Sequence, residues 1–224
     1  MNYVQGDLRD QLAHVGYDVV QAGLVCGSGG NLSARIPHED TCWVTGSGAW
    51  LDRLSRTTFA SVRISDGSPA AVGAVPPAHV DPTSELALHL ALYRARPDVN
   101  AVVHLHPQTA LLLDALGEHI RIVTTDHAFY LRRVSTVPFR MPGSTELAAM
   151  TAAMAADGTD CLLLSQHGCV VLADSVELAH KRARNLEEAA QLTYRALAAN
   201  RLDTLRECPD QLLDRLAGHT PLSV

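Results

Sequence analysis

The segment Arg96-Pro97-Asp98-Val99-Asn100-Ala101-Val102-Val103-His104-Leu105-His106 is the most informative in the chain. Its last six residues, AVVHLH, form a short β-branched run that reads as a strand, set off from what precedes by the helix-ending Arg96-Pro97. Side chains at i and i+2 of a strand leave on one face, so His104 and His106 project the same way at a spacing suited to chelation. Imidazole is a common ligand for zinc, and three protein ligands leave a coordination position open for substrate. The same pair is also compatible with two strand-end histidines bonded to backbone.

Upstream, ELALHLALYRARP (85–97) has helical character, and Thr83 or Ser84 can cap it. Glu85 opens this helix, which runs toward the histidine strand. A carboxylate there can ligate a cation weakly or act as general base; the helix dipole equally favours a first-turn acid with no such role. Downstream, a helix is expected from about Pro107 to Leu116, then strands at IRIVTT (120–125) and VSTVPF (134–139), and a helix opened by Gly143-Ser144-Thr145-Glu146. CLLLSQ (161–166) and CVVLA (169–173) read as strands flanking His167-Gly168. A histidine at a strand end, beside a glycine that lets the backbone turn, sits where α/β proteins place active-site residues. A turn histidine without a ligand role has the same spacing. A long helix (175–200) and a shorter amphipathic one (about 203–216) follow.

At the other end, DLRDQLAHVGYDVVQAGL (7–24) is an amphipathic helix closed by Gly27-Ser28-Gly29-Gly30-Asn31, and NLSARIP and CWVTG form a hairpin around Pro37–Asp40. ASVRIS (60–65) is a further strand. The stretch 67–82 is rich in Gly, Ala and Pro, but both its flanks contribute to the same expected site, so residues 1–224 are taken as one domain with 203–224 a C-terminal helix and tail. The irregular alternation of strands, hairpins and helices predicts a mixed sheet rather than a parallel one.

Composition narrows the function classes. The 224 residues are 47% apolar, ample for a sizeable core, and the net charge is −6. Duplex nucleic acid needs a strong positive field, so it is not an expected partner. No run of about 18 apolar residues offers a membrane span, and MNYVQGDLRDQ lacks the basic start and apolar stretch of a signal peptide; a cytoplasmic protein is expected. The five cysteines form no CxxC pair, and Cys161 and Cys169 lie in strand-like apolar runs as free buried thiols. Anionic small molecules remain compatible. The glycine-rich turn 27–31 offers backbone N–H groups at close approach, and together with Ser47-Gly48 and Thr83-Ser84 it fits a phosphomonoester pocket.

These motifs together resemble the class II aldolase family typified by L-fuculose-1-phosphate aldolase, which also includes ribulose-phosphate 4-epimerases and the adducin head domain. The pattern G-x-x-G-N-x-S stands here as Gly27 to Ser33, T-x-[ST]-G as Thr45 to Gly48, and P-[ST]-S-E as Pro82 to Glu85, followed by His89 and Tyr93. R-P-D-x-N-A-V-V-H-x-H is matched at every fixed position, and the H-G pair is His167-Gly168; the resemblance spans about residues 8–198. It implies a three-layer α/β/α domain with a mixed, largely antiparallel sheet. It also implies Zn2+ (or Mn2+) held by His104, His106 and His167, with Glu85 as acid/base. Phosphate contacts are implied from Ser28, Gly30, Asn31, Ser47, Gly48, Thr83 and Ser84, in a homotetramer with active sites between subunits. The substrate implied is a small phosphorylated sugar, cleaved through an enediolate to dihydroxyacetone phosphate and an aldehyde. The adducin branch lacks the metal ligands, so their presence favours an enzyme over an assembly module. The epimerase branch carries aspartate in place of Glu85, which ranks epimerase below aldolase; a decarboxylase of a 3-oxo sugar acid phosphate is the second reading. A gapless count puts Thr124 where the fuculose-phosphate enzyme has a catalytic tyrosine, and Tyr130 or His127, reaching into a neighbouring subunit's site, is the expected replacement. The same two residues are also compatible with a sheet-edge or interface role.

Overall fold

The histidine strand lies at the centre of a seven-stranded sheet. In the computed structural model, which describes residues 5–77 and 79–217, β1 (Asn31–Arg35), β2 (Thr41–Thr45), β3 (Phe59–Arg63), β4 (Ala101–Leu105), β5 (Ser135–Val137), β6 (Cys161–Leu164) and β7 (Gly168–Ala173) take the order β3-β2-β1-β4-β7-β6-β5. Every pairing is antiparallel except β5 with β6, so the sheet is mixed and mostly antiparallel, as the irregular alternation predicts.

Helices cover both faces, which is why most strands are buried throughout rather than alternating with polar residues. On one face α1 (Leu8–Gln21), α3 (Gln108–Leu116), α4 (Thr125–Tyr130) and α6 (Val176–Ala198) pack against Leu32, Ala34, Ala101, Val103, Leu105, Cys169 and Val171. On the other, α2 (Leu86–Ala95) and α5 (Thr145–Ala155) meet Val44, Val62, Val102, Val170 and Leu172. Period-two alternation therefore assigns Val103 and Leu105 to the first face and Val102 and His104 to the α2–α5 face. Asn31 is the register partner of His104 and Ser33 of Val102, so the polar residues of β1 share that second face.

Three expectations need correction. IRIVTT is no strand: residues 120–124 run outside the sheet, and α4 begins at Thr125. Ile120 and Ile122 still bury their side chains, but Arg121 N–H donates to Thr193 Oγ1 at 2.9 Å and the Ile122 carbonyl accepts from Cys208 N–H at 2.7 Å. β-Branched composition marks an extended buried segment, and here α6 and the C-terminal segment satisfy it without a neighbouring strand. Second, neither Thr83 nor Ser84 is the cap of α2: that position is Glu85, whose side chain makes no capping bond, and Thr83 Oγ1 instead accepts Glu85 N–H at 3.3 Å. Third, the expected helix 203–216 is a 3-10 turn at Leu202–Thr204 and then α7 (Asp210–Ala217); the tail 218–224 falls outside the described residues. Cys161 and Cys169 are free and buried, and burial pushes both thiols up, Cys161 to about 12.

Candidate metal centre

His104 is the second-last residue of β4 and is fully buried. Its Nδ1–H donates to the Cys169 carbonyl of the adjacent β7 at 2.8 Å, which fixes the ring and leaves Nε2 for another partner. His106 lies just past the strand end, its backbone N–H bonded to the Leu24 carbonyl at 3.2 Å. His167 comes from the tight β6–β7 turn, where Gln166 has a positive φ of 56°. The three ring centroids are 4.8 to 5.4 Å apart, and one nitrogen from each ring lies within 4.8 Å of the others. His106 Nε2 is 3.1 Å from His104 Nε2. Two nitrogens about 2.0–2.1 Å from a tetrahedral zinc would stand about 3.3 Å apart, so the rings are already at ligating separation.

Two glycines make that convergence sterically feasible. A Cβ on Gly168 would come within 2.6 Å of His106 Cδ2 and 2.9 Å of His104 Cε1, and would also strike the Leu105 carbonyl. Gly30 has φ +74°, and a Cβ there would stand 2.6 Å from the His104 carbonyl. The backbone of both loops must pass where side chains would otherwise collide with the histidines.

Glu85 faces the triad. Its Oε2 is 2.9 Å from His104 Nε2 and its Oε1 is 3.4 Å from His167 Nε2. Burial pushes the carboxyl up, but the His104 bond and charge and an Asn31 Nδ2 bond at 3.0 Å outweigh it, so the group sits well below the usual carboxylate range and is ionised. Burial lowers His106 to about 4, and lowers His167, with the neighbouring imidazoles adding to both shifts. Three imidazoles beside a carboxylate are a donor set that fits a borderline divalent cation. Glu85 Oε1 and His167 Nδ1 are buried without a hydrogen-bond partner, as expected of groups built to face a ligand.

A cavity of about 240 Å³ opens beside these residues. Ser28, Gly30, Asn31, Gly48, Thr83 and Ser84 line it, together with Glu85, His106 and His167. Ser47 does not line it: its backbone N–H is bonded to the Asp81 carbonyl at 2.9 Å, while Gly46 and Gly48 on either side do. No lysine or arginine is in this lining, so an anion there would meet hydroxyls and backbone amides.

A model of the family described as "Class II Aldolase and Adducin N-terminal domain" matches residues 10–194. The chain belongs to that family. Within it, the chain is 32% identical over 169 residues to the L-fuculose phosphate aldolase of Methanocaldococcus jannaschii, covering 75% of this chain and 86% of that protein. It is also 32% identical over 196 residues to the 3-oxo-tetronate 4-phosphate decarboxylase of Escherichia coli K12, covering 85% and 88%. A solved L-fuculose 1-phosphate aldolase superposes with a TM-score of 0.81 at 26% identity over 96% of each chain. Relatives named for different reactions thus resemble the chain to the same degree.

The class II aldolase fold brings most of the expected residues together in one chain and leaves two more, besides Ser47, outside the cavity. His127 is buried on α4, with Nε2 3.8 Å from Glu188 Oε2, and burial lowers its pKa; Tyr130 ends the same helix, its carbonyl accepting from Arg182 Nε at 3.0 Å. Neither lines the cavity of its own chain. Sequence reading assigned no role to Asp114, whose carboxylate holds the turn before His167, and none to Ser33, His89 and Tyr93. The spacing of Glu85, His89 and Tyr93, four residues apart on one helix face, was the available signal.

No described helix is long and apolar enough to cross a membrane.

Proposed function

We propose that this chain is a metal-dependent aldolase that cleaves a ketose 1-phosphate of the fuculose, ribulose or 5-deoxypentulose type to dihydroxyacetone phosphate and an aldehyde. The observation that carries the reading is the ionised Glu85 carboxylate, 2.9 Å from His104 and 3.4 Å from His167, at the wall of a cavity lined by small hydroxyl residues and glycines. His104, His106 and His167 would hold the cation, Zn2+ or alternatively Mn2+. Bound there, it supplies Lewis-acid stabilisation of the negative charge that develops on the substrate's C2 oxygen.

The chain's own residues do the rest. Ser28, Gly30, Asn31, Gly48, Thr83 and Ser84 form the phosphate pocket with hydroxyls and backbone N–H groups, which positions C3 beside Glu85. Glu85 first takes a proton from solvent; as the C3–C4 bond breaks, a base takes the C4 hydroxyl proton, Glu85 delivers its proton to C3 and returns to the ionised state, and the base releases its proton to solvent. In the condensing direction the ionised Glu85 removes that C3 proton. Tyr130 or His127 of a neighbouring subunit serves as the second group. This makes the site one of a homotetramer, formed by single-domain cytoplasmic subunits. Neither residue lines the cavity of its own chain, so this role requires a neighbouring subunit.

The second reading is decarboxylation of a 3-oxo sugar acid phosphate, favoured by the similarity to the E. coli decarboxylase. Three converging imidazoles count against a non-enzymatic adducin-like module. The zinc-loaded protein should be incubated with ribulose 1-phosphate, fuculose 1-phosphate and a 5-deoxypentulose 1-phosphate, assaying dihydroxyacetone phosphate, and in parallel with a 3-oxo-tetronate 4-phosphate, assaying carbon dioxide. Carbon dioxide release without aldol cleavage would replace the first reading by the second; neither product would sink both.

A further inference from the structure

Behind Glu85 runs an unbroken file of buried polar groups between β1 and α2. Asn31 Nδ2 donates to Glu85 Oε2 at 3.0 Å, and Asn31 Oδ1 meets His89 Nε2 at 2.5 Å. His89 Nδ1 meets Ser33 Oγ at 2.7 Å, and Ser33 Oγ meets Tyr93 OH at 2.8 Å. His89 and Ser33 are fully buried, Tyr93 is 1% exposed and Asn31 6%. The geometry follows from two periodicities: Asn31 and Ser33 are i and i+2 on one strand face, and Glu85, His89 and Tyr93 are i, i+4 and i+8 on the facing helix. A hydrophobic pair at any of these positions would pack as well, so a complete polar chain in a dry core calls for a reason.

The carboxylate sets the direction of every proton in the file. Asn31 presents its NH2 group to Glu85 Oε2, which turns the amide oxygen toward His89 and makes His89 Nε2 the donor. Burial holds His89 neutral, lowering it to about 3, so Nδ1 must accept from the Ser33 hydroxyl. Having spent its proton, Ser33 Oγ accepts from Tyr93 OH. All donors aim at Glu85 Oε2. Glu85 Oε1, by contrast, is buried with no hydrogen-bond partner.

We propose that Ser33, His89 and Tyr93 are positioning residues that act through Asn31 on Glu85, locking Oε2 as an acceptor and leaving Oε1 as the oxygen that takes a proton from substrate carbon and returns it. This rests on the acid/base role of Glu85 proposed above. It also gives Asn31 a purpose at the carboxylate in addition to its place in the pocket wall.

The test uses zinc-loaded protein labelled with 15N-histidine. His89 should appear as the neutral Nε2–H tautomer, with a solvent-shielded ring proton from about pH 5 to about pH 9. Its ring resonances should shift in Glu85→Gln at one end of the file and in Tyr93→Phe at the other. An Nδ1–H tautomer, a titrating ring, or resonances indifferent to both substitutions overturns the proposal. A second arm follows exchange of the C3 proton of dihydroxyacetone phosphate for deuterium. Ser33→Ala and Tyr93→Phe each remove one oxygen atom and should lower kcat roughly 10-fold, with KM and zinc affinity within about 2-fold, the scale on which outer-shell partners act. An unchanged kcat, or a kcat that falls only in step with zinc affinity, overturns it. Absence of exchange in the unsubstituted protein defeats the aldolase reading, and with it the proton-transfer role of Oε1; the NMR arm, which uses no substrate, still decides the file itself.

Discussion

Asp114 Oδ2 accepts the backbone N–H of Gln166 at 2.9 Å, tying the C-terminal turn of α3 to the residue that precedes the third imidazole. The same oxygen accepts from Ser165 Oγ at 3.1 Å. At the other end of α3, Glu187 takes the free N–H groups of Thr109 and Ala110, both at 3.1 Å, just beyond His106. Helix α3 is thus a strut between the loop carrying His106 and the turn carrying His167. Since Gln166 sits at φ +56° without being glycine, that turn needs outside support to hold its shape.

Asp114→Ala should therefore weaken zinc binding roughly 10-fold, while Asp114→Asn, which keeps an acceptor oxygen, should retain most of the affinity. Competition against a chromophoric chelator reads both. Equal affinities for the two variants and the unsubstituted protein would remove α3 from the account.

His104→Ala and His167→Ala should each abolish stoichiometric metal, leaving less than about 0.1 equivalent after gel filtration, because two of three converging imidazoles hold a cation far more weakly than the full set. Elemental analysis of purified protein is the measurement. Metal retained in full by either variant would place the cation elsewhere.

Glu85→Gln should keep metal and fold but lower turnover about 10²- to 10⁴-fold, the range for loss of a positioned acid/base. The amide still accepts from Asn31, so the effect should fall on kcat rather than on binding. Steady-state kinetics on whichever substrate of the panel is active gives the answer.

Gly168→Ala should destabilise the metal-free protein by about 1–3 kcal/mol, since the new methyl meets the Leu105 carbonyl and both rings of the β4 pair. Urea denaturation measures it, and a value near zero would mean the turn relaxes freely.

Stability of the metal-free protein should fall as pH drops from about 6.5, the unfolded histidine value, toward about 4. Burial holds folded His106 at about 4 and His89 at about 3. Across that window the unfolded chain binds protons that the folded one does not, so acid favours unfolding. Bound zinc should add stability that is lost as pH falls, because protons and the metal compete for the same imidazole nitrogens. Thermal midpoints with and without zinc, from pH 8 downward, test the sign; a midpoint that rises with acid would contradict it.

Much of this was legible in the linear order of residues because it is local. The AVVHLH run places two imidazoles on one strand face, the β1–β2 hairpin follows from its turn residues, and the glycines at 30 and 168 mark backbone passing close to something. The strand expected at 120–125 shows the limit: β-branched residues signal burial and extension, and whether a neighbour strand or a helix supplies the partner is not encoded nearby. Glu85 makes the same point, since a first-turn glutamate and a site carboxylate have identical local sequence.

What the chain order determined by itself was element type, the facing of each strand residue and the glycine-permitted turns, all set within a few residues by backbone sterics. What the tertiary structure alone decided was which distant groups meet. The pairing of β4 with β1 and β7, and the packing of α2 on that face, carried Asn31 to Glu85 and to His89, each across more than fifty residues. In that shared core burial holds His89 neutral, while the His104 and Asn31 bonds, against burial, hold the Glu85 carboxyl low.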